Sequence, residues 1–310
     1  MAITNLTGDA NQKTYEEIIC SEELTGGIHS ELISLSVLNI FLSITAFLGN
    51  TLIVVALHKE SCLHPPSKFL FRSLATTDFC VGIIAQPALV TIWMSAVNDR
   101  WNICRYAVAA SFITSYMLCL VSLLTSTAIS VDRLLALLLK LRYRQVVTLE
   151  RTHVAVFAFW LVCTAASTMR FWNYLILDCY FYGVTTLCLV TSIYSYTKIF
   201  LTLRHHQIQV QANFQAEQRS QTIPLNMARY KKAVSSAMWL QLTLVVCYLP
   251  YAVVSSFSTT QSSSLFLASQ FSATLVLLKS SINPILYCLK IGEVRQAMKD
   301  TIRQLLWSRY

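Results

Sequence analysis

Apolar runs alternate with short polar segments along the whole chain. Seven of them, at 33–57, 69–97, 103–137, 152–171, 175–203, 230–257 and 265–289, reach the roughly 20 residues that a helix needs to cross a bilayer. The pattern predicts an all-α membrane protein, a seven-transmembrane-helix bundle. The third and fifth runs are long enough to extend past the lipid. A tail at 1–32 precedes the bundle at 33–290. A last segment at 291–310 has Val294, Ala297, Met298, Ile302 and Leu305 on one helical face, with Arg295, Lys299 and Arg303 off it. That spacing predicts an amphipathic helix lying on the inner leaflet, in contact with membrane lipid.

Composition agrees with this reading. The chain of 310 residues is 55% hydrophobic and 13% charged, against about 25% charged for a soluble domain, and its mean hydropathy is +0.53. The formal net charge of +9 reflects topology. Of the 24 Lys and Arg, four (Lys13, Arg100, Arg105, Arg170) fall on one side of the predicted bundle and two (Arg133, Lys279) at membrane depth. The remaining 18 fall on the other side. The basic side is expected to be cytoplasmic, with the N-terminus outside and anionic lipid as the basic partner. Nucleic acid is not an expected partner. Residues 1–30 lack an apolar stretch, so no cleavable signal peptide is expected and the first span would direct insertion. Asn5-Leu6-Thr7 is a glycosylation sequon on the outer side. Cys20, Cys104 and Cys179 also face outward, and three cysteines admit one disulfide. Cys104–Cys179 is expected, because two helix ends would hold them close. Cys20–Cys104 is the alternative.

Polar side chains inside the apolar runs carry the functional reading. A charge at mid-bilayer costs roughly 2.5–3.5 kcal/mol on insertion scales, so such residues persist where they pair inside a bundle. Here they form motifs in a fixed order: Gly49-Asn50, Leu74-Ala75-Thr76-Thr77-Asp78, Asp132-Arg133-Leu134, Cys247-Tyr248-Leu249-Pro250 and Asn283-Pro284-Ile285-Leu286-Tyr287. This order and spacing resemble the rhodopsin-like (class A) G-protein-coupled receptors over about residues 35–305. The resemblance implies a plasma-membrane receptor that binds an extracellular ligand and activates a heterotrimeric G protein by movement of helix six. No enzyme activity and no cofactor are implied, and no metal site.

Carried onto matching positions, the resemblance makes Asn50, Asp78 and Ser122 a central polar site with Asp78 the ion-binding carboxylate. It makes Asp132 and Arg133 the G-protein switch, Tyr248 and Pro250 the toggle and hinge of helix six, and Asn283, Pro284 and Tyr287, with Tyr196, the switch of helices seven and five. Several positions depart from the family. Lys279 stands where an Asn is usual and is expected near Asp78, where its ammonium would compete with sodium. It is two residues away from the retinal-binding Lys position, here Leu277, which disfavours an opsin. Tyr248 replaces Trp. Tyr230 replaces the acid that restrains the helix-three Arg, so high basal activity is expected. Ser115 stands where amine receptors have Asp, so a monoamine ligand is disfavoured. Ser115, Tyr116, Cys119, Tyr251, Ser255, Ala273 and Val276 would line a mostly neutral pocket. The short link between helices four and five, Cys188 in place of a helix-five Pro, and the displaced Cys104 resemble the melanocortin, lysophospholipid and cannabinoid group. Ala88, however, takes the place of a melanocortin acid. The alternatives are a seven-helix transporter or channel, which would show broken-helix inverted repeats that the sequence lacks, and a receptor that does not couple.

Overall fold

The computed structural model describes residues 15–59, 64–169, 174–216, 242–255, 262–290 and 292–307. Among them the regular structure is helical. Two short helices, α1 (Tyr15–Ile19) and α2 (Glu22–Thr25), precede α3 (His29–Lys59). The second span is α4 (Pro65–Cys80), a π-helical turn Val81–Ala85, and α5 (Gln86–Val97). The rest are α6 (Trp101–Leu139), α7 (Tyr143–Val146), α8 (Leu149–Thr168), α9 (Tyr174–Ala216), the shorter apolar α10 (Leu242–Ser255), α11 (Ser263–Lys290) and α12 (Gly292–Trp307). Six stretches are long and apolar enough to cross a membrane. With α10 they form the seven-helix bundle. At 1.5 Å per residue, the 39 residues of α6 and 43 of α9 span roughly 58 and 65 Å, far beyond a 30 Å hydrocarbon core.

Local sequence accounts for two of the helix starts and for the π-helical turn. Pro65 and Pro66 occupy the first turn of α4, where a missing N–H costs nothing. Thr148 caps α8, its hydroxyl accepting from the Arg151 N–H. The π turn lies just ahead of Pro87. Pro87 cannot donate to the carbonyl four residues back, and widening the preceding turn absorbs that loss. Gly82, inside the turn, lets α3 approach. An added Cβ would meet Ala46 Cβ and Phe47 N at 3.0 Å, and Ser43 Oγ donates to the Gly82 carbonyl at 2.6 Å.

Large apolar side chains point outward, as a lipid solvent demands. Phe41 of α3, Phe157 of α8 and Leu187 of α9 are 65%, 69% and 67% exposed. Inside, α6 is the hub, packing against α4, α5, α8 and α9, while α11 packs against α3. Many buried hydroxyls are satisfied within their own helix, such as Ser36 on Leu32 O, Thr125 on Val121 O and Ser167 on Cys163 O. Those that cross between helices are fewer, and they define the site.

The segment before α3 folds over the outer end of the bundle, taken as the end where α3 begins. Ile19, Cys20, Ile28 and Leu32 pack with Ile92, Trp93, Ala96 and Val108. Arg105 pairs with Glu17 at 3.6 Å. This corrects the expected disulfide. Cys20 bonds Cys104 with a Cα–Cα distance of 5.9 Å, and Cys179 is free and exposed. The apolar packing of Ile19 and Ile28 holds Cys20 at the top of α6, so the arm that looks free in sequence is the nearer partner.

Candidate functional site: a polar chain through the bundle

The central site is built around Asp78, wholly buried in α4. Its carboxylate accepts three hydrogen bonds. Ser122 of α6 and Ser280 of α11 each donate to Oδ1 at 2.8 Å, and Asn283 Nδ2 donates to Oδ2 at 2.6 Å. Lys279, 3% exposed, donates to Ser122 Oγ at 2.8 Å and to the Ser122 carbonyl at 3.3 Å. The ammonium and the carboxylate therefore meet through one hydroxyl. Ser122 accepts from Lys279 and donates to Asp78, which fixes the direction of its hydroxyl proton. Asn50 joins this group through the Ser280 backbone. Its Nδ2 donates to Ala46 O at 2.8 Å and to Ser280 O at 3.0 Å, tying α3 to α11. Gly49 makes the approach possible, since an added Cβ would lie 2.9 Å from Pro284 Cβ and Cγ.

Toward the outer end, the Lys279 ammonium lies 5.9 Å from the Tyr248 ring centroid. Tyr248 is buried in α10, and its hydroxyl donates to the Cys119 carbonyl at 3.1 Å. Toward the inner end, a cavity of about 10 Å³ is lined by Lys279, Asn283, Ser126, Ser130 and Tyr196, among others. Ser130 donates to the Tyr196 hydroxyl at 2.9 Å. The buried Tyr287 ring meets Phe71 edge-on at 5.4 Å.

The inner end holds Asp132 and Arg133. Asp132 is 4% exposed. Ser67 donates to its Oδ2 at 2.8 Å, and Tyr143 of α7 donates to its Oδ1 at 2.6 Å. Arg133 Nε lies 3.7 Å from Asp132 Oδ2. Its guanidinium sits over the Phe71 ring, 5.5 Å from the centroid. Phe71 thus stands between Arg133 and Tyr287. The sequence reading did not select Ser67, Phe71 or Ser280, because none carries charge and Ser or Phe in an apolar run is ordinary.

Residues 49–175 match the family described as 7 transmembrane receptor (rhodopsin family). Over 282 residues the chain is 24% identical to melanocortin receptor 5 of Rattus norvegicus, covering 84% of this chain and 82% of that one. Over 326 aligned positions it is 25% identical to melanocortin receptor 5 of Mus musculus, covering 97% and 94%. Over these stretches the chain is similar to rhodopsin-like receptors. Proteins so described are membrane-spanning receptors and not enzymes.

In the outer half of the bundle, aromatic rings meet where the sequence places a ligand pocket. Tyr116 stacks on Phe112 at 5.1 Å and meets Phe181 at 4.9 Å, and Phe181 meets Tyr251 at 5.7 Å. Phe181 is 4% exposed and was not among the expected residues, although the run Tyr180-Phe181-Tyr182 marks it. Cys119 and Val276 are buried in the same core as Tyr248, with Leu277. Ala273 is partly buried. Ser115 lies 3.4 Å from the Ser111 hydroxyl, and the Ser255 hydroxyl donates to the Tyr251 carbonyl within α10. Pro250 lies in the described part of α10. Asn5 and Tyr230 lie outside the described residues.

Proposed function

We propose that this receptor lies in the plasma membrane with its N-terminus outside, takes its ligand among α6, α9, α10 and α11, and signals by a pivot of α10 at Pro250. The observation that carries this is a run of contacts along the middle of the bundle. It runs from the Cys119 carbonyl to Tyr248, then Lys279, Ser122, Asp78 and Asn283. One helical turn past Asn283 on α11, Tyr287 meets Phe71, over which Arg133 lies. A ligand that moves Tyr248 disturbs the ammonium beneath it, and Arg133 is held by a ring that Tyr287 also touches. The Cys20–Cys104 bridge supports the orientation, because disulfides persist in oxidising compartments.

The ligand class follows from what the pocket residues lack. Ser115 offers no carboxylate for a monoamine ammonium. The relatives are melanocortin receptors, yet Ala88 removes an acid from the second span, so their ligand does not follow from the likeness. The pocket suits a ligand that is mostly apolar, with Ser115, Ser255 and Tyr251 as its polar partners. Cyclic-AMP and calcium reporters in cells expressing the receptor, challenged with a ligand library, test the reading. A hit should lose its response in Arg133→Ala at equal surface expression. A response that survives Arg133→Ala refutes coupling through this end.

A further inference from the structure

A second cavity lies away from that chain, at the outer seam between α3 and α11. It is a lipid-facing groove of about 360 Å³, lined by Ser30, Glu31, Ser34, Leu35, Leu38 and Phe271. That volume falls in the range of small-molecule sites, about 300–1,000 Å³. The groove is polar at one end and apolar at the other. Glu31 sits in the first turn of α3, at headgroup depth for a span that begins at His29. Leu38 lies seven residues on, roughly 10 Å deeper along the helix. Leu38 and Phe271 are 45% and 49% exposed, so the deep end opens sideways to the acyl chains.

The hydrogen-bond inventory of the polar end selects the head of the ligand. Ser34 Oγ spends its proton on the Ser30 carbonyl at 2.8 Å, and Ser30 Oγ spends its proton on Glu31 Oε2 at 2.8 Å. What remains to face the groove is acceptor only: the two hydroxyl oxygens and the carboxylate. No Lys or Arg is among the described lining residues, so a phosphate or carboxylate head finds no donor and meets a negative charge. An alcohol brings one donor. A primary ammonium brings three, with the charge that Glu31 complements. We propose that this groove binds a single-chain primary amine from the membrane, its ammonium on Glu31 and its chain along Leu35, Leu38 and Phe271. The site rests only on the membrane placement of α3 and α11, and is separate from the pocket among α6, α9, α10 and α11. Occupancy would brace α11 against α3 just outward of the Asn39–Thr274 hydrogen bond of 3.1 Å.

The test is photolabelling of purified receptor in phosphatidylcholine nanodiscs. The probes are diazirine analogues of hexadecylamine, hexadecanol and hexadecanoic acid, mapped by peptide mass spectrometry. The amine should label peptides that contain residues 30–38 and Phe271, and unlabelled hexadecylamine should compete. Glu31→Gln should weaken amine labelling about tenfold, the low end for a charge-assisted hydrogen bond at a half-exposed site. Leu38→Trp should fill the groove and remove labelling there, while Val154→Trp on the lipid face of α8 leaves it unchanged. Equal labelling by alcohol, acid and amine, or labelling spread over all lipid-facing helices, overturns the proposal. So does amine labelling unchanged in a folded Glu31→Gln. If that variant fails to fold, the three-probe comparison on wild type and Leu38→Trp still decide. The readout is labelling, so it stands or falls independently of signalling.

Discussion

Lys279→Asn is the most direct perturbation of the central site. The ammonium reaches Ser122 Oγ at 2.8 Å, and Ser122 Oγ reaches Asp78 Oδ1 at 2.8 Å. The two charges are therefore no more than about 5.6 Å apart, and at an effective dielectric near 20 they attract by about 3 kcal/mol before desolvation. A sodium ion on Asp78 would be repelled by a similar amount, which weakens its binding by roughly a hundredfold. On this reasoning Lys279 would act as a tethered cation in place of a diffusible one. In Lys279→Asn the carboxylate, Ser122 and Ser280 stay in place as ligands and the competing charge is gone. At sodium ten times its dissociation constant, binding would stabilise the fold by about 1.4 kcal/mol, a rise in melting temperature of roughly 2–4 °C. The assay is thermal unfolding of purified receptor in sodium chloride against choline chloride at equal ionic strength, and it needs no ligand. Wild type should show no difference, Lys279→Asn should gain the shift, and Asp78→Asn added to it should abolish the gain. Millimolar sodium sensitivity in wild type would falsify the tethered-cation account, as would a folded Lys279→Asn that ignores sodium.

The remaining predictions concern restraint, packing and covalent structure. Phe71→Leu removes a cation–π contact and an edge-on ring pair, together about 1–2 kcal/mol. It should raise ligand-free signalling roughly fivefold to thirtyfold at equal surface expression; unchanged output would mean the ring does not restrain Arg133. Tyr230→Glu, which supplies the missing acid, should lower that basal output in the same reporters. Gly49→Ala should destabilise the receptor by about 1–3 kcal/mol through overpacking against Pro284. Gly27→Ala, with nothing within 4 Å of its added Cβ, should melt like wild type. Peptide mapping should find Cys20 joined to Cys104 and a maleimide-reactive Cys179, with Cys20→Ser lowering the melting temperature and Cys179→Ser leaving it alone.

Sequence alone determines the seven spans, because a bilayer tolerates only helices that satisfy their own backbone and so writes their length into the apolar runs. It also determines which residues must be inside. Asp78, Arg133, Lys279 and Asn283 are too costly to face lipid, and their order carries the resemblance to the rhodopsin-like receptors. Partners were decided by tertiary structure. Lys279 and Asp78 are 201 positions apart in the numbering, and only the packed helices reveal that Ser122 stands between them. Ser67 and Tyr143 hold Asp132, and Phe71 lies under Arg133, through contacts that involve neutral or aromatic side chains. Such residues are common in any membrane helix and carry no signal until they are placed. The disulfide shows the same limit from the other side. Charge and topology select Cys20, Cys104 and Cys179 as candidates, yet the choice among them depends on where Ile19 and Ile28 find apolar cover. A short link suggests that two helix ends lie close, whereas the free energy of burying the N-terminal segment decides which cysteine arrives at Cys104.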